Sequence, residues 1–237
     1  MSIDPKLLKW RKQIERIGHH VIQLNHDRQL WREMTAGLAA AAPEADGTYI
    51  QHYTKLYVDG ASMAVRRLAD VGGQRQTIAL GRLIADLIAN PNVLNQKVIV
   101  ARYTNDDDPR DWAREDRRRR GEEFWQTEWA DADGNIDVVK PRADLDALTL
   151  AADKVASFAD RVVAHIDSRG AQDIPTFADL DDAINLIGDL FKRYSSLIDG
   201  KGWAFLEPAI QGDWKAPFRR AVFEPIPDRY TSLGELG

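Results

Sequence analysis

The apolar positions of this chain recur every three or four residues over most of its length. The clearest stretch covers residues 141–169, where one helical face carries Leu145, Leu148, Ala152, Val155, Ala159, Val162 and Ile166. This spacing predicts a long amphipathic helix with a buried seam. A second seam runs from Leu180 to Ile198. We expect the helices 141–168 and 177–199 to form an antiparallel pair, because the segment that joins them is short.

Capping signals mark the ends of several other predicted elements. Asp108-Pro109 places a capping carboxylate before a proline, which is typical of a helix N-terminus. Thr176 and Asp179 have the spacing of a capping box. Thr77 is predicted to cap a short helix that stops at Pro91. Turn-forming residues predict a loop over residues 131–140.

The N-terminal part of the chain contains further helical runs. One begins at Asp4-Pro5, and Asn25 is predicted to mark a break before a second run that reaches Ala42. A third helix is predicted over residues 49–70. Residues 93–103 are apolar and partly β-branched, which fits either a helix or a single strand. We favour the helix because no partner strand is evident.

Residues 200–237 have no helical period. Four prolines interrupt a segment that contains the large aromatic side chains Phe205, Trp214, Phe218, Phe223 and Tyr230. Aromatic groups of this size are expected to leave water. We therefore predict an irregular C-terminal strap over residues 200–237, packed on a helical bundle domain formed by residues 1–199.

The composition is that of a folded protein. Of the 237 residues 44% are hydrophobic and 29% charged, which is typical of globular chains rather than disordered ones. The net charge of -5 argues against a protein that coats nucleic acid, although it is compatible with a local basic face. Because the chain has no cysteine, disulfides, zinc–thiolate sites and thiol catalysis are excluded.

No segment predicts a membrane span or a cleaved leader. The N-terminal residues are charged throughout, and no run approaches the ~18 apolar residues of a transmembrane helix. We therefore expect a soluble cytoplasmic protein without a membrane partner. The sequence also lacks a P-loop, a dinucleotide-binding GxGxxG, an HExxH and a GxSxG, so no cofactor is predicted.

Histidines and arginines are the candidate functional residues. His19 and His20 are adjacent and diverge on a helix, so we favour exposed histidines over metal ligands there and predict no metal site. Arg117, Arg118 and Arg120 lie in the most charged segment and are candidates for contacting RNA phosphates. The acidic residues interleaved with them favour the alternative of a solvated helix face held by salt bridges.

Arg66 and Arg67 flank an apolar stripe on the third predicted helix. We expect both to be structural, because an arginine in this position can bury its aliphatic stem and extend its guanidinium group to a carboxylate. The candidate partners are Asp59, Asp70 and Asp86.

Arg161 and His165 lie one turn apart on the predicted helix 141–168 and therefore point the same way. Metal-independent RNA cleavage needs one group that takes the 2′-hydroxyl proton, another that protonates the leaving oxygen, and a cation for the phosphate. Histidine suits the proton transfers and arginine suits the phosphate. The competing interpretation, favoured by the residues alone, is a hydrogen-bonded histidine at the bundle edge with Arg161 paired to an acid.

Several stretches together resemble a known family. They are YVDGASMAVRRLAD, QTIALGRLIADLIANP, FADRVVAHID and TFADLDDAINLIGDLFKRY. Their order and character resemble the HEPN-type helical proteins of the AbiU-like abortive-infection group over residues 49–199. The later stretch WAFLEPAIQGDWKAPFRR is similar to tails found in such proteins.

The resemblance implies a helical bundle that forms a homodimer and, in many members, a metal-independent ribonuclease acting in phage defence or as a toxin. In these enzymes an arginine, a polar spacer and a histidine from two copies form the site. Carried over to this chain, the histidine is His165, and Asp160 lies in the polar region beside Arg161. Three residues, Val-Val-Ala, separate Arg161 from His165, a shorter spacer than the family's.

The partners implied are an RNA substrate, a second copy of the chain, and an antitoxin or a phage-derived protein. A second hypothesis assigns no catalysis. In it the protein is a non-catalytic helical bundle that dimerises or recognises a partner, with Arg161 and His165 on the interface.

Overall fold

The computed structural model describes residues 4–41, 47–72, 77–104, 111–164, 173–209 and 212–216. These ranges contain the helices α1 (Pro5–Ala41), α2 (Thr48–Ala69), α3 (Leu80–Ala89), α4 (Gln96–Thr104), α5 (Asp111–Glu128), α6 (Val139–Phe158) and α7 (Phe177–Asp199). A 3-10 turn spans Pro91–Val93, and a π-helix, Ala159–Ala164, continues α6. Within the described ranges there is no β-strand, only one isolated bridge between Ala130 and Ile136. The prediction of an all-α protein is confirmed.

The core is built around α7. Eleven of its residues are buried, and it packs against α1, α2 and α6. The aromatic side chains of Phe191 and Tyr194 are fully or almost fully buried, as is Trp10 of α1. The sequence pattern is clearest over residues 141–169, but α7 has eleven buried residues where α6 has four.

Helices α6 and α7 form the predicted antiparallel pair. Near the end of α6, the Nζ of Lys154 donates to Oδ2 of Asp179 in the first turn of α7, at 2.9 Å. Near the start of α6, Oδ2 of Asp144 accepts from the hydroxyl of Tyr194, also at 2.9 Å. The contacts therefore run in opposite order along the two helices. Between them, Val155 has no exposed surface.

Both ends of α7 are capped. At the N-terminus, Thr176 and Asp179 form the predicted capping box. At the C-terminus, Gly200 has φ 74°, the left-handed conformation that ends many helices. The last carbonyls accept from two arginines: Leu197 from Nη2 of Arg102 at 2.6 Å, and Ile198 from Nε of Arg11 at 3.3 Å. Burial lowers the pKa of Arg102 to about 10.

Two predicted details of the N-terminal half are wrong. Asn25 does not break the first helix, because its Nδ2 donates to the carbonyl of Val21 at 2.9 Å and its Oδ1 accepts from Arg28 at 2.7 Å. Its polar groups are therefore satisfied inside one continuous α1. Thr77 does not cap α3, whose N-cap position is Ala79 and has no side-chain cap.

Other predicted boundaries agree with the structure or differ slightly. The segment 93–103, for which a helix was favoured, contains α4, and α2 covers nearly the whole of the predicted 49–70. Helix α6 begins at Val139, so the loop that was expected to reach residue 140 is two residues shorter than predicted. The helix start predicted at Asp108-Pro109 lies outside the described residues.

The chain divides into two compact units, the first ending at Glu207 and the second beginning at Pro208. In the first, residues 201–207 pack on the bundle: Nε1 of Trp203 donates to Oγ of Ser195 at 3.0 Å, and Leu206 is buried. Phe205, expected to be buried, is 79% exposed. In the second, Nζ of Lys215 lies 5.3 Å from the ring centroid of Trp214. The remaining tail aromatics lie outside the described residues, so a strap extending over residues 208–237 stays a prediction.

None of the described helices combines the length and hydrophobicity that a bilayer span requires.

Candidate functional site

The last part of the predicted helix 141–168 departs from the α-helical period. The seam is buried as expected through Ala159, but Val162, predicted to continue it, is 41% exposed. The reason is the π-helix Ala159–Ala164. A π-helix has more residues per turn than an α-helix, so the three-and-four spacing no longer keeps one face inward. Such segments occur frequently at functional sites.

Asp160 in this π-helix forms an ion pair with Nε of Arg66 on α2. Both side chains are a little under half exposed. This ion pair links the π-helix to α2 through the carboxylate of Asp160, which lies five residues before His165 in the sequence.

A cleft of about 630 Å³ lies beside this ion pair, between the end of α2, the segment before α3, and α6. Its polar lining includes Arg66, Arg67, Asp70, Thr77, Asp153 and Asp160. Its volume is at least twice that of each of four other cavities lined by described residues, which measure about 210 to 310 Å³. Convergent charged side chains in this cleft make it the candidate functional site.

The partners predicted for Arg66 and Arg67 are wrong, because the three carboxylates are engaged elsewhere. Asp70 accepts from Nε of Arg82 at 3.1 Å, and Asp59 pairs with Lys55. Asp86 accepts from Nε1 of Trp10 at 2.8 Å and from Nζ of Lys6 at 3.1 Å. Burial alone would raise the pKa of the Asp86 carboxyl, but these two hydrogen bonds outweigh it, and the pKa is lowered.

Arg67 also lines the cleft, and among the described residues it has no hydrogen-bond or ion-pair partner. Its side chain is exposed. Of the three carboxylates in the lining, two are neutralised by Arg66 and Arg82, and Asp153 is the third.

The structure brings together only part of the predicted catalytic set. Asp160 lines the cleft, whereas Arg161 is exposed and is not part of the lining. His165 lies outside the described residues. Arg67, which the sequence analysis expects to be structural, lies in the cleft lining beside Arg66. Its place in AVRRLAD, next to an arginine and an apolar stripe, is the sequence signal that marks it.

The arginines predicted to contact RNA lie on α5 among acidic residues. Arg118 bonds Glu115 at 2.6 Å and Glu122 at 2.5 Å, and Arg120 pairs with Asp116 at 2.5 Å. The hydrogen bond from Arg118 lowers the pKa of the Glu115 carboxyl. An RNA phosphate would compete with these carboxylates for Arg118 and Arg120. The RNA-binding role of these residues and of the half-buried Arg117 stays a prediction.

His19 and His20 are exposed on α1, as predicted. Along the described ranges, no three histidine or carboxylate side chains come close enough together to hold a metal ion.

Neither a protein-family model, nor a curated protein sequence, nor a solved structure matches this chain.

Proposed function

We propose that this protein is an HEPN-like, metal-independent endoribonuclease that acts in phage defence or as a toxin. The observation that carries the proposal is the position of Arg67 and the Arg66–Asp160 pair in the cleft of about 630 Å³, immediately before the segment that leads to His165. An RNA strand in this cleft would have its phosphate beside Arg67. The all-helical architecture agrees with the family that the sequence resembles.

The proposed chemistry needs no cofactor. Neutral His165 takes the proton of a 2′-hydroxyl, whose oxygen attacks the adjacent phosphorus and expels the 5′-oxygen. A second protonated histidine gives its proton to that leaving oxygen, and an arginine stabilises the charge that develops on the phosphate. One chain supplies one histidine in this region, so the second comes from a second copy.

The homodimer is therefore part of the proposal, and the outer face of α6 is its proposed interface. Val139 and Leu150 are 69% and 79% exposed, and eleven residues, close to three full turns, separate them. They therefore lie on one side of the helix. Both side chains are available to pack against a second copy, and burying them would remove apolar surface from water.

The test is cleavage of a single-stranded RNA by the purified protein in excess EDTA. His165→Ala should abolish cleavage, while His20→Ala, which removes an exposed histidine of α1, should leave it unchanged. Growth arrest on expression in bacteria should follow the same pattern. If His165→Ala cleaves RNA at the wild-type rate, the catalytic proposal is wrong.

A second candidate is the non-catalytic module that dimerises or recognises an antitoxin or a phage-derived partner. The observation that favours it is the Arg66–Asp160 ion pair, which gives Asp160 a structural role, together with the position of Arg161 outside the cleft lining. Under this hypothesis no RNA is cleaved, and Arg161→Glu disrupts a protein complex instead.

A further inference from the structure

Ser62, in the middle of α2, carries a buried hydroxyl group. Its side chain has no exposed surface, and its Oγ makes no hydrogen bond with any residue that the structure describes. Hydroxyl groups inside helices commonly donate to the carbonyl four residues earlier. Thr35, Thr104 and Thr149 do so in this protein, at 2.8, 3.0 and 2.8 Å. Ser62 does not follow this pattern, so the hydrogen-bonding capacity of its hydroxyl group is unused among the described residues.

A pocket lies next to this hydroxyl group. It has a volume of about 310 Å³ and is formed by α2 and the start of α7, with the side chains of Val58, Ser62, Pro175, Thr176, Phe177 and Leu180 in its lining. These residues include no charged group. Apolar walls with one or two polar groups are typical of small-molecule sites, and the part of the lining that the structure describes, being uncharged, favours a neutral ligand.

One wall of the pocket is aromatic. The ring of Phe177 is stacked on Trp31, with centroids 5.0 Å apart and planes 14° from parallel. Phe177 is nevertheless 47% exposed, so part of its surface is free for a ligand. Stacking on an aromatic side chain is the usual way in which proteins hold a planar ring.

The pocket and the arginine cleft share a face of α2. Val58, Ser62 and Arg66 follow one another at intervals of four residues, so they lie on successive turns. Ser62 and Arg66 are therefore separated by about 6 Å along the helix axis. A ligand with a ring in the pocket can place an attached phosphate near the arginines.

We propose that this pocket binds an unpaired nucleobase. A base is neutral and planar, it stacks on aromatic rings, and its edge carries donors and acceptors. Because the Ser62 hydroxyl group is fully covered, a base edge reaches it by displacing the side chains around it. The pocket would select the base next to the phosphate held at Arg67. The identification of the ligand as part of an RNA strand rests on the proposed function, whereas the preference for a neutral planar ring rests on the pocket alone.

The test is to titrate the full-length protein with adenosine, guanosine, cytidine and uridine, and to measure binding from the changes in its NMR spectrum. Nucleosides have no phosphate, so binding does not depend on the arginine cleft. At least one should bind, and Ser62→Ala should weaken it roughly two- to tenfold, the value of one hydrogen bond. Thr104→Ala, which removes a hydroxyl group on α4, should leave the affinity unchanged. Because the Ser62 hydroxyl bonds none of the described residues, Ser62→Ala should melt no lower than the wild type.

The results separate this proposal from the ribonuclease proposal. Nucleoside binding that depends on Ser62, in a protein that cleaves no RNA, supports the pocket and rejects the ribonuclease. RNA cleavage without nucleoside binding, with the same base preference in Ser62→Ala as in the wild type, overturns the pocket and supports the ribonuclease. Nucleoside affinity that is equal in the wild type and Ser62→Ala also overturns the pocket.

Discussion

The hydroxyl group of Tyr194 on α7 donates a 2.9 Å hydrogen bond to Oδ2 of Asp144 on α6. Tyr194 is fully buried, and Asp144 also pairs with Arg193. Burial, reinforced by the neighbouring carboxylate, raises the pKa of Tyr194. The phenol therefore stays protonated and continues to donate. This hydrogen bond is one of those that link α6 to α7, the two helices predicted to pair.

Tyr194→Phe should lower the free energy of unfolding by about 1.5–3 kcal/mol, the usual value of a hydrogen bond to a charged group. Urea denaturation measures this change. Tyr57→Phe is the matched control, because the Tyr57 hydroxyl group is buried and bonds none of the described residues. Its removal should leave stability unchanged or raise it. Equal losses in the two variants would show that the Tyr194–Asp144 bond contributes nothing.

Asp179 makes the stability of the fold depend on acid pH. Hydrogen bonds from Lys154 and Thr176 lower the pKa of Asp179 from 3.8 to about 2. The folded protein therefore prefers the ionised carboxylate. Its stabilising contribution is complete above the unfolded pKa near 4 and is lost as the pH falls toward 2.

Asp179→Asn should be less stable than the wild type at pH 7, and its stability should fall less between about pH 5 and pH 2. Thermal unfolding over this pH range measures the difference. Asp182→Asn is the control, since Asp182 is exposed on the same helix and forms no ion pair with a described residue. Parallel pH profiles for the wild type and Asp179→Asn would contradict the assignment.

The fold could be predicted from the sequence where a regular period coincides with strong end signals. Helix α7 was located to the residue because Thr176, Asp179 and Gly200 fix its ends and Leu180 begins an unbroken seam. The sequence failed where a local signal was outweighed by tertiary contacts. Asn25 is a helix breaker in isolation, but here Val21 and Arg28 satisfy its side chain. Periodicity also could not anticipate the π-helix, because the residues from Ala159 onward still show α-helical spacing.

The candidate site was harder to predict because it depends on partners that are distant in sequence. Ninety-four positions separate Arg66 from Asp160 in the chain, and no pattern connects them. Asp59 and Asp70 are closer to Arg66 in the sequence, but their carboxylates pair with Lys55 and Arg82. Which arginine of an adjacent pair forms an ion pair is decided by side-chain packing and not by residue type.

Leu150→Glu should convert a dimer to a monomer without unfolding it. Leu150 is 79% exposed, so a charge there changes the stability of one chain by no more than about 0.5 kcal/mol. In the proposed interface on α6 the same charge would be buried against a second copy. The mass measured by light scattering at micromolar concentration should be twice 26.7 kDa for the wild type and close to 26.7 kDa for Leu150→Glu. Leu56→Glu, an exposed leucine on α2, is the control. A wild-type protein that is already a monomer would reject the interface.

Substitutions of the two adjacent arginines of α2, Arg66 and Arg67, should have different effects on stability and on RNA cleavage. Arg66→Ala removes a half-exposed ion pair, which contributes about 0–1 kcal/mol after solvent screening. A double-mutant cycle with Asp160→Ala should return a coupling energy in the same range. Arg67→Ala removes no described contact, so its unfolding curve should match the wild type within about 0.5 kcal/mol.

Arg67→Ala should nevertheless lose most RNA cleavage, because Arg67 lines the cleft and no described residue competes with a phosphate for its guanidinium group. Arg16→Ala, an exposed arginine on α1, should cleave RNA normally. Arg67→Lys should recover only part of the activity, since an ammonium group cannot form the two parallel hydrogen bonds that a guanidinium makes to phosphate. If Arg67→Ala cleaves RNA normally and Arg161→Ala does not, the phosphate binds at the exposed face of the π-helix, and the cleft has another role.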